Sequence, residues 1–182
     1  ARGLVVETWM GTDDVPATGA DWRAWSSANI DGANLVKVAA AAYGADGELA
    51  ESRAYFGAGS SDFYATVYRY DWRGRQTDVL SPGDVVTHHE YDNLGRTVWT
   101  KTYASADFTL QAGELRVQAQ SLFDDQGRVY ESRVYEVDPA NGAVGDYLPS
   151  RTWYDAAGQV IKTADGNGLL QKYAYDGLGR SV

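Results

Sequence analysis

The sequence has no cysteine among its 182 residues. Disulfides, thiolate metal sites and cysteine nucleophiles are therefore excluded, while the compartment stays open. Histidine is nearly absent, with two residues, and so is methionine, with one. Long apolar runs are missing too. The longest, Leu35 to Ala42, is interrupted by Lys37 and falls far short of a membrane span. The opening residues show neither a signal-peptide pattern nor an initiator methionine. Positive charge is scarce: 16 Lys and Arg against 25 Asp and Glu leave a net charge of −9. Binding to nucleic acid or to an anionic membrane needs clustered Lys and Arg, which this chain does not have.

What is abundant is equally specific. There are 13 Tyr, 6 Trp and 20 Gly. Aromatics and glycines without long aliphatic stretches predict twisted strands joined by tight turns, an all-β chain. The turns recur as one phrase. Tyr91-Asp92-Asn93-Leu94-Gly95-Arg96 is repeated as Tyr70-Asp71-Trp72-Arg73-Gly74-Arg75 and as Tyr175-Asp176-Gly177-Leu178-Gly179-Arg180. Weaker copies are Phe123-Asp124-Asp125-Gln126-Gly127-Arg128, Tyr154-Asp155-Ala156-Ala157-Gly158-Gln159 and Tyr43-Gly44-Ala45-Asp46-Gly47-Glu48. The chain is a repeat protein.

Between these turns the sequence alternates as hairpin arms. Strands are predicted over Leu35–Tyr43, Glu48–Phe56, Phe63–Tyr70, Val85–Tyr91, Arg96–Tyr103, Glu114–Phe123, Arg128–Val137, Ser150–Tyr154, Gln159–Thr163 and Leu169–Tyr175. Ala39–Ala42 also suits a helix, and the motif copy after it argues for strand. Residues 12–34 lose all alternation and read as an irregular insert or long loop carrying Trp22 and Trp25. Gly3 aligns with the turn glycine of a copy lacking its Tyr-Asp half, and Arg180-Ser181-Val182 starts a return arm. Residues 1–182 are thus expected to be a repeat segment cut through a repeat at both ends. Turn-glycine spacings of 27, 21, 32, 31 and 21 after Gly47 disfavour a propeller or a β-helix with constant rungs.

Each motif residue has a turn-making reason. Asp accepts backbone N–H bonds two residues on. Gly supplies positive φ. Arg is placed to reach back to the Asp or to stack on the Tyr ring. Aromatics recurring four residues before the turn glycine, and again eight after it at Tyr55, Tyr103 and Tyr135, predict aromatic ladders across neighbouring strands.

Several copies of Tyr-Asp-x-x-Gly-Arg in one short chain resemble the YD repeat of the rearrangement hotspot (RHS) family, from Gly3 to Arg180. That family includes bacterial polymorphic toxins, cocoon-forming subunits of insecticidal toxin complexes, and teneurins. The resemblance implies antiparallel β-hairpin repeats forming a curved sheet strip, a segment of a hollow shell or spiral. It also implies an extracellular or cell-surface setting. Asp138-Pro139-Ala140-Asn141-Gly142 only superficially resembles the family's autocleavage element. It reads as a β-turn, and proteolysis is not carried over.

No catalytic, metal or cofactor site is expected. His88 and His89 are adjacent on a strand and point to opposite faces, so they do not share one metal. Asp13-Asp14 and Asp124-Asp125 lack a full calcium loop. The structural motif residues are Tyr70, Asp71, Gly74, Arg75, Tyr91, Asp92, Gly95, Arg96, Phe123, Asp124, Gly127, Arg128, Tyr154, Asp155, Gly158, Tyr175, Asp176, Gly179 and Arg180. Trp22 and Trp25 are the candidate ligand contacts. The expected function is a non-enzymatic wall segment that encloses or displays a cargo or effector, partnered by the rest of its parent chain. Two rivals stand beside it. One is an adhesion or carbohydrate-binding module with glycans as partners. The other is a self-associating filament subunit joined to further copies through strand edges.

Overall fold

A computed structural model describes residues 4–11, 35–57 and 61–182. The all-β expectation is met. Within each of two compact units the described strands pair antiparallel with their sequence neighbours, and among the described residues the one helical element is a short 3₁₀ turn, Ala112–Glu114. The insert 12–34 with Trp22 and Trp25, the motif glycine Gly3, and most of the connector 57–61 lie outside the described residues.

The chain divides into two compact units, Ala1–Arg69 and Tyr70–Val182. The first carries β1 (Glu7–Gly11), β2 (Leu35–Tyr43), β3 (Leu49–Tyr55) and β4 (Phe63–Tyr70), paired in that order. The alanines of β2 take the strand. Ala39 faces Ala54 and Ala42 faces Glu51, and this cross-strand pairing overrides the helix propensity of alanine.

The second unit is a meander of β5 (Gln76–Ser81), β6 (Val85–Tyr91), β7 (Thr97–Ala104), β8 (Leu115–Phe123), β9 (Val129–Val137), β10 (Val144–Tyr154), β11 (Val160–Ala164) and β12 (Leu170–Lys172). Two arms differ in length from the sequence expectation. β10 begins at Val144 instead of Ser150, because β9 offers a partner that far back: Val144 faces Val137 and Tyr147 faces Tyr135. β12 ends at Lys172, and Tyr175 keeps only an isolated bridge to Ser181. In a meander alternate connections fall at the same end. Within this unit the motif turns therefore share one end and the other connectors share the opposite one.

Little apolar surface is fully buried. Among the described residues only Val86 and Leu115 are buried hydrophobics, with Ser105 and Glu131 as buried polar residues. Val86 faces Tyr103, which in turn faces Leu115, so this small core sits at the end of the unit away from the motif turns. Elsewhere the order comes from cross-strand side-chain pairs.

The register shifts at a fixed place. An irregularity falls directly before the motif aromatic in β2 (Ala42/Tyr43), β6 (Glu90/Tyr91), β8 (Leu122/Phe123) and β10 (Trp153/Tyr154). A bulge bends its strand and re-aims the next side chain. Here it turns each motif ring toward the preceding repeat.

Candidate functional site

The repeated turn is the most elaborated local structure in the chain. The Asp N–H bonds the carbonyl four residues on, from Asp71 to Arg75, Asp92 to Arg96, Asp124 to Arg128, Asp155 to Gln159 and Asp176 to Arg180, all at 2.9–3.0 Å. The Gly N–H returns to the Asp carbonyl at 2.9–3.1 Å. Gly74, Gly95, Gly127, Gly158 and Gly179 have φ of +74° to +86°. Only glycine takes that geometry without steric cost.

The carboxylate closes the loop from inside. Asp92 Oδ1 accepts the N–H groups of Leu94 and Arg96, both at 2.9 Å, and its Oδ2 accepts Nε of Arg96 at 2.6 Å. The same three bonds recur around Asp71, Asp124 and Asp176. These contacts hold all four carboxyls below the ordinary aspartate value. For Asp71 the main cause is the Arg75 side chain; for Asp92, Asp124 and Asp176 it is the backbone N–H of the following arginine. Asp165–Leu169 closes by the same backbone bonds and the same Oδ1 contacts at the opposite end of the unit. It has the turn without the arginine. Gly44–Glu48 keeps the backbone bonds with glycine in the place of Asp.

The arginine then reaches beyond its own repeat. From the sequence the ring it stacks on is its own Tyr. In the structure it is the next one. The guanidinium carbon of Arg75 lies 4.7 Å from the Tyr91 ring centroid, that of Arg96 lies 4.5 Å from Phe123, and that of Arg128 lies 4.4 Å from Tyr154. Arg75 Nη1 also donates to the Asp92 carbonyl at 3.1 Å. The next repeat answers. Tyr91, Tyr154 and Tyr175 donate their hydroxyls to the carbonyls of Gln76, Val129 and Val160 at 2.7–2.9 Å. Each acceptor directly follows the Arg or Gln of the preceding turn. Tyr43 bonds the Val5 carbonyl at 3.2 Å in the equivalent place, two residues after Gly3. In place of ring-on-ring contact, the motif rings of Tyr91, Phe123 and Tyr154 each meet the guanidinium of the preceding turn.

Ring-on-ring contacts occur at the other recurring position. Tyr55 meets Phe63 at 5.4 Å, and Tyr135 meets Trp99 at 5.6 Å and Tyr147 at 5.3 Å. These belong to a second repeated phrase that the turn motif overshadowed, Glu51-Ser52-Arg53-Ala54-Tyr55 and Glu131-Ser132-Arg133-Val134-Tyr135. Glu and Arg two apart on a strand share a face. Arg53 Nε donates to Glu51 and Arg133 Nε to Glu131, each at 2.6 Å. The guanidiniums then lie 4.5 Å from the Phe63 ring and 4.6 Å from the Tyr147 ring, both on the following strand. Glu131 is buried and also accepts Arg151 Nε at 2.6 Å. Arg151 first and Arg133 second hold it below the ordinary glutamate value. The identical Glu-Ser-Arg-x-Tyr spelling was the signal that could have found this site in the sequence.

The remaining candidates sit apart. His88 Nδ1 lies 2.7 Å from Asp78, while His89 Nδ1 lies 3.3 Å from Thr100. Burial, and then the neighbouring His88, push His89 down. No group of three or more His, Asp or Glu among the described residues is placed to hold a metal ion. A shallow trough in the first unit has an alanine floor, Ala40 to Ala42. Its charged walls pair among themselves, Lys37 with Glu7 and Arg53 with Glu51. Asp138 to Gly142 is a closed turn: Gly142 N–H bonds the Asp138 carbonyl at 2.7 Å, and Asp138 N–H bonds Ala143 at 2.8 Å. No described helix is long and apolar enough to cross a membrane.

No curated protein matches this sequence. Among solved structures, the chain is similar to the Tc holotoxin pore of Photorhabdus luminescens with 16% identity and a TM-score of 0.47, over 80% of this chain and 8% of that one. It is likewise similar to TcdB2-TccC3-Cdc42 with 16% identity and a TM-score of 0.42, over 75% of this chain and 8% of that one. The chain thus spans a small part of the length of the proteins it matches. A family model, the RHS repeat, matches residues 154–182. The RHS repeat is thus matched at Tyr154–Val182, and the hydrogen-bonded turn of that stretch recurs in this chain at Asp71–Arg75, Asp92–Arg96 and Asp124–Arg128.

Proposed function

We propose that this chain is a non-enzymatic structural segment of an RHS wall, a length of β-shell that encloses or displays a cargo or effector in an extracellular or cell-surface protein. The observation that carries the reading is the arginine relay. Arg75, Arg96 and Arg128 are each spent on their own Asp and on the ring of the next repeat, so these repeated residues are consumed in joining repeats. The carboxylates of their turns are occupied by backbone and guanidinium donors, which leaves them poor general acids or bases. The partner of such a segment is the rest of its parent chain. Electron microscopy of the parent protein tests this: residues 35–182 are expected within a continuous β-wall. A separate globular module standing off the wall would overturn it.

A second reading, a carbohydrate-binding or adhesion surface, draws on the row Trp99, Tyr135 and Tyr147, because aromatic faces stack on sugar rings. Tyr147 is 40% exposed at one end of that row. A glycan array combined with tryptophan fluorescence separates the two. The wall reading expects a flat response, and a saturable response to one glycan class favours the surface.

A further inference from the structure

The phrase Glu-Ser-Arg-x-Tyr occurs once in each unit, so one copy serves as a template for the other. In the second unit Arg133 faces Gln120 and Glu131 faces Leu122. The amide oxygen of Gln120 meets both donors of the phrase: the Tyr135 hydroxyl bonds it at 3.0 Å, and Arg133 Nη1 lies 3.5 Å away. In the first unit Arg53 faces Ala40 and Glu51 faces Ala42 at the same two places. The acid and the arginine keep their 2.6 Å bond, but the side chains that fill the space beside them are gone. On the other flank Val67 stands opposite Glu51, where Arg151 stands opposite Glu131.

The first copy is the more open for it. Glu51 is 25% exposed against 6% for Glu131, and Arg53 is 41% exposed against 25% for Arg133. A trough of about 250 Å³ lies over Ala40–Ala42, with Arg53 and Tyr55 in one wall and Glu7 in the other. Glu7 faces Ala40 from β1, so acid and arginine flank the alanine about 10 Å apart, two strand spacings. Lys37 balances Glu7 and Glu51 balances Arg53, so the four charges cancel. Glu7 accepts Lys37 Nζ and Trp9 Nε1, which occupies about two of the roughly four acceptor positions of a carboxylate. Arg53 is already fixed, with its Nε on Glu51 and the Phe63 ring 4.5 Å from its guanidinium carbon. Little of its freedom is left for a ligand to remove.

We propose that this trough is a binding site for a primary carboxamide, the group that glutamine and asparagine side chains carry. The ligand oxygen takes the place of the Gln120 amide oxygen and accepts from the Tyr55 hydroxyl and Arg53. Its NH2 donates to Glu7. In the second unit the counterpart of Glu7 is Trp99, which faces Gln120 and has no acceptor to offer. A carboxylate of the same shape meets Glu7 as a like charge and is rejected. The site belongs to this chain alone and stands or falls independently of the wall reading.

The test titrates the full chain with propionamide, the glutamine side chain without its backbone, and reads the Arg53 Nε–H resonance by NMR. A saturable shift is expected, with none from propionate at the same concentrations. Ala40→Gln restores the pairing of the second unit. It is expected to move that resonance by itself in the same direction and to abolish the response to propionamide. Tyr55→Phe removes one donor at nearly constant volume and is expected to weaken propionamide binding several-fold. A shift that rises without saturating, an equal response to propionate, or an undiminished response in Ala40→Gln overturns the proposal. An undiminished response in Tyr55→Phe does so even where Ala40→Gln fails to fold. Free L-glutamine and a glutamine capped at both ends then distinguish an amino-acid ligand from a polypeptide partner, by which of them saturates the shift at the lower concentration.

Discussion

Arg75 and Tyr91 belong to different repeats and are fixed to each other twice: the guanidinium lies 4.7 Å from the ring centroid, and the tyrosine hydroxyl bonds the carbonyl of Gln76, the residue after Arg75, at 2.7 Å. A motif that looks like a local turn is therefore also the joint between turns. The same residue types are required by both tasks, which is why Arg and Tyr recur together.

Replacing the plane by a point charge tests the joint. Arg75→Lys keeps the positive charge near Asp71 but loses the fork and the flat face that stacks. A cation–π contact at a partly exposed site contributes about 0.5–1 kcal/mol. The expected fall in Tm is about 1–4 °C for a chain of this size, read from a circular dichroism melt. An unchanged Tm would mean that the stack adds nothing beyond the charge.

Phe123 is the one motif ring of the second unit's relay without a hydroxyl. Phe123→Tyr places one opposite the Thr97 carbonyl, the counterpart of the Gln76 and Val129 acceptors. A net gain of about 0.5–1.5 kcal/mol is expected for one added hydrogen bond, seen as a higher urea midpoint at unchanged slope. A loss of stability would show that the bulge before Phe123 aims its ring differently from Tyr91.

Two glycines separate backbone strain from collision. Gly95 has φ +83° with nothing within 4 Å of an added Cβ. Gly95→Ala should cost only the left-handed penalty, about 1–2 kcal/mol. Gly142 has φ +72°, and its Cβ would lie 1.8 Å from the Ala112 carbonyl oxygen. Gly142→Ala must move backbone and should be clearly the more damaging of the two. Chemical denaturation of both variants decides; equal losses would rule out the close approach at Ala112.

Acid should loosen the turns. The carboxyls of Asp71, Asp92, Asp124 and Asp176 are depressed in the folded chain by arginine and backbone donors. A depressed carboxyl stabilises the fold above its unfolded pKa, about 3.9 for aspartate. That contribution is lost as pH falls from there through the lower folded values. The turns' contribution should therefore be level from neutral pH to about 5 and decline below about 4, while the depressed His89 adds a separate loss that begins as pH falls below about 6.5. Asp92→Asn removes one titrating group, so its acid decline should be shallower than that of the parent. A decline of identical steepness would place the acid sensitivity elsewhere, with Glu131 the next candidate because Arg151 and Arg133 depress it as well.

The turns were legible because their causes are local. Asp, Gly and Arg within five residues contain their own donors, acceptors and φ requirement, and six recurrences made the pattern unmistakable. Strand existence was legible for the same reason, through alternation. Strand length was not: β10 extends to Val144 because β9 lies alongside it, and no residue of β10 carries that information alone. The Glu-Ser-Arg-x-Tyr site was spelled twice in the sequence, yet its third partner, Arg151, arrives from another strand.

By itself the sequence determined the all-β class, the place of each motif turn and the residues that close it, since each of these depends on neighbours along the chain. The tertiary structure decided what the arginine does after closing its turn. Register shifts before Tyr91, Phe123 and Tyr154 carry each ring to the preceding repeat's side. A shift in pairing is a property of two strands together, so its consequence, one arginine serving two repeats, appears only once the strands are side by side.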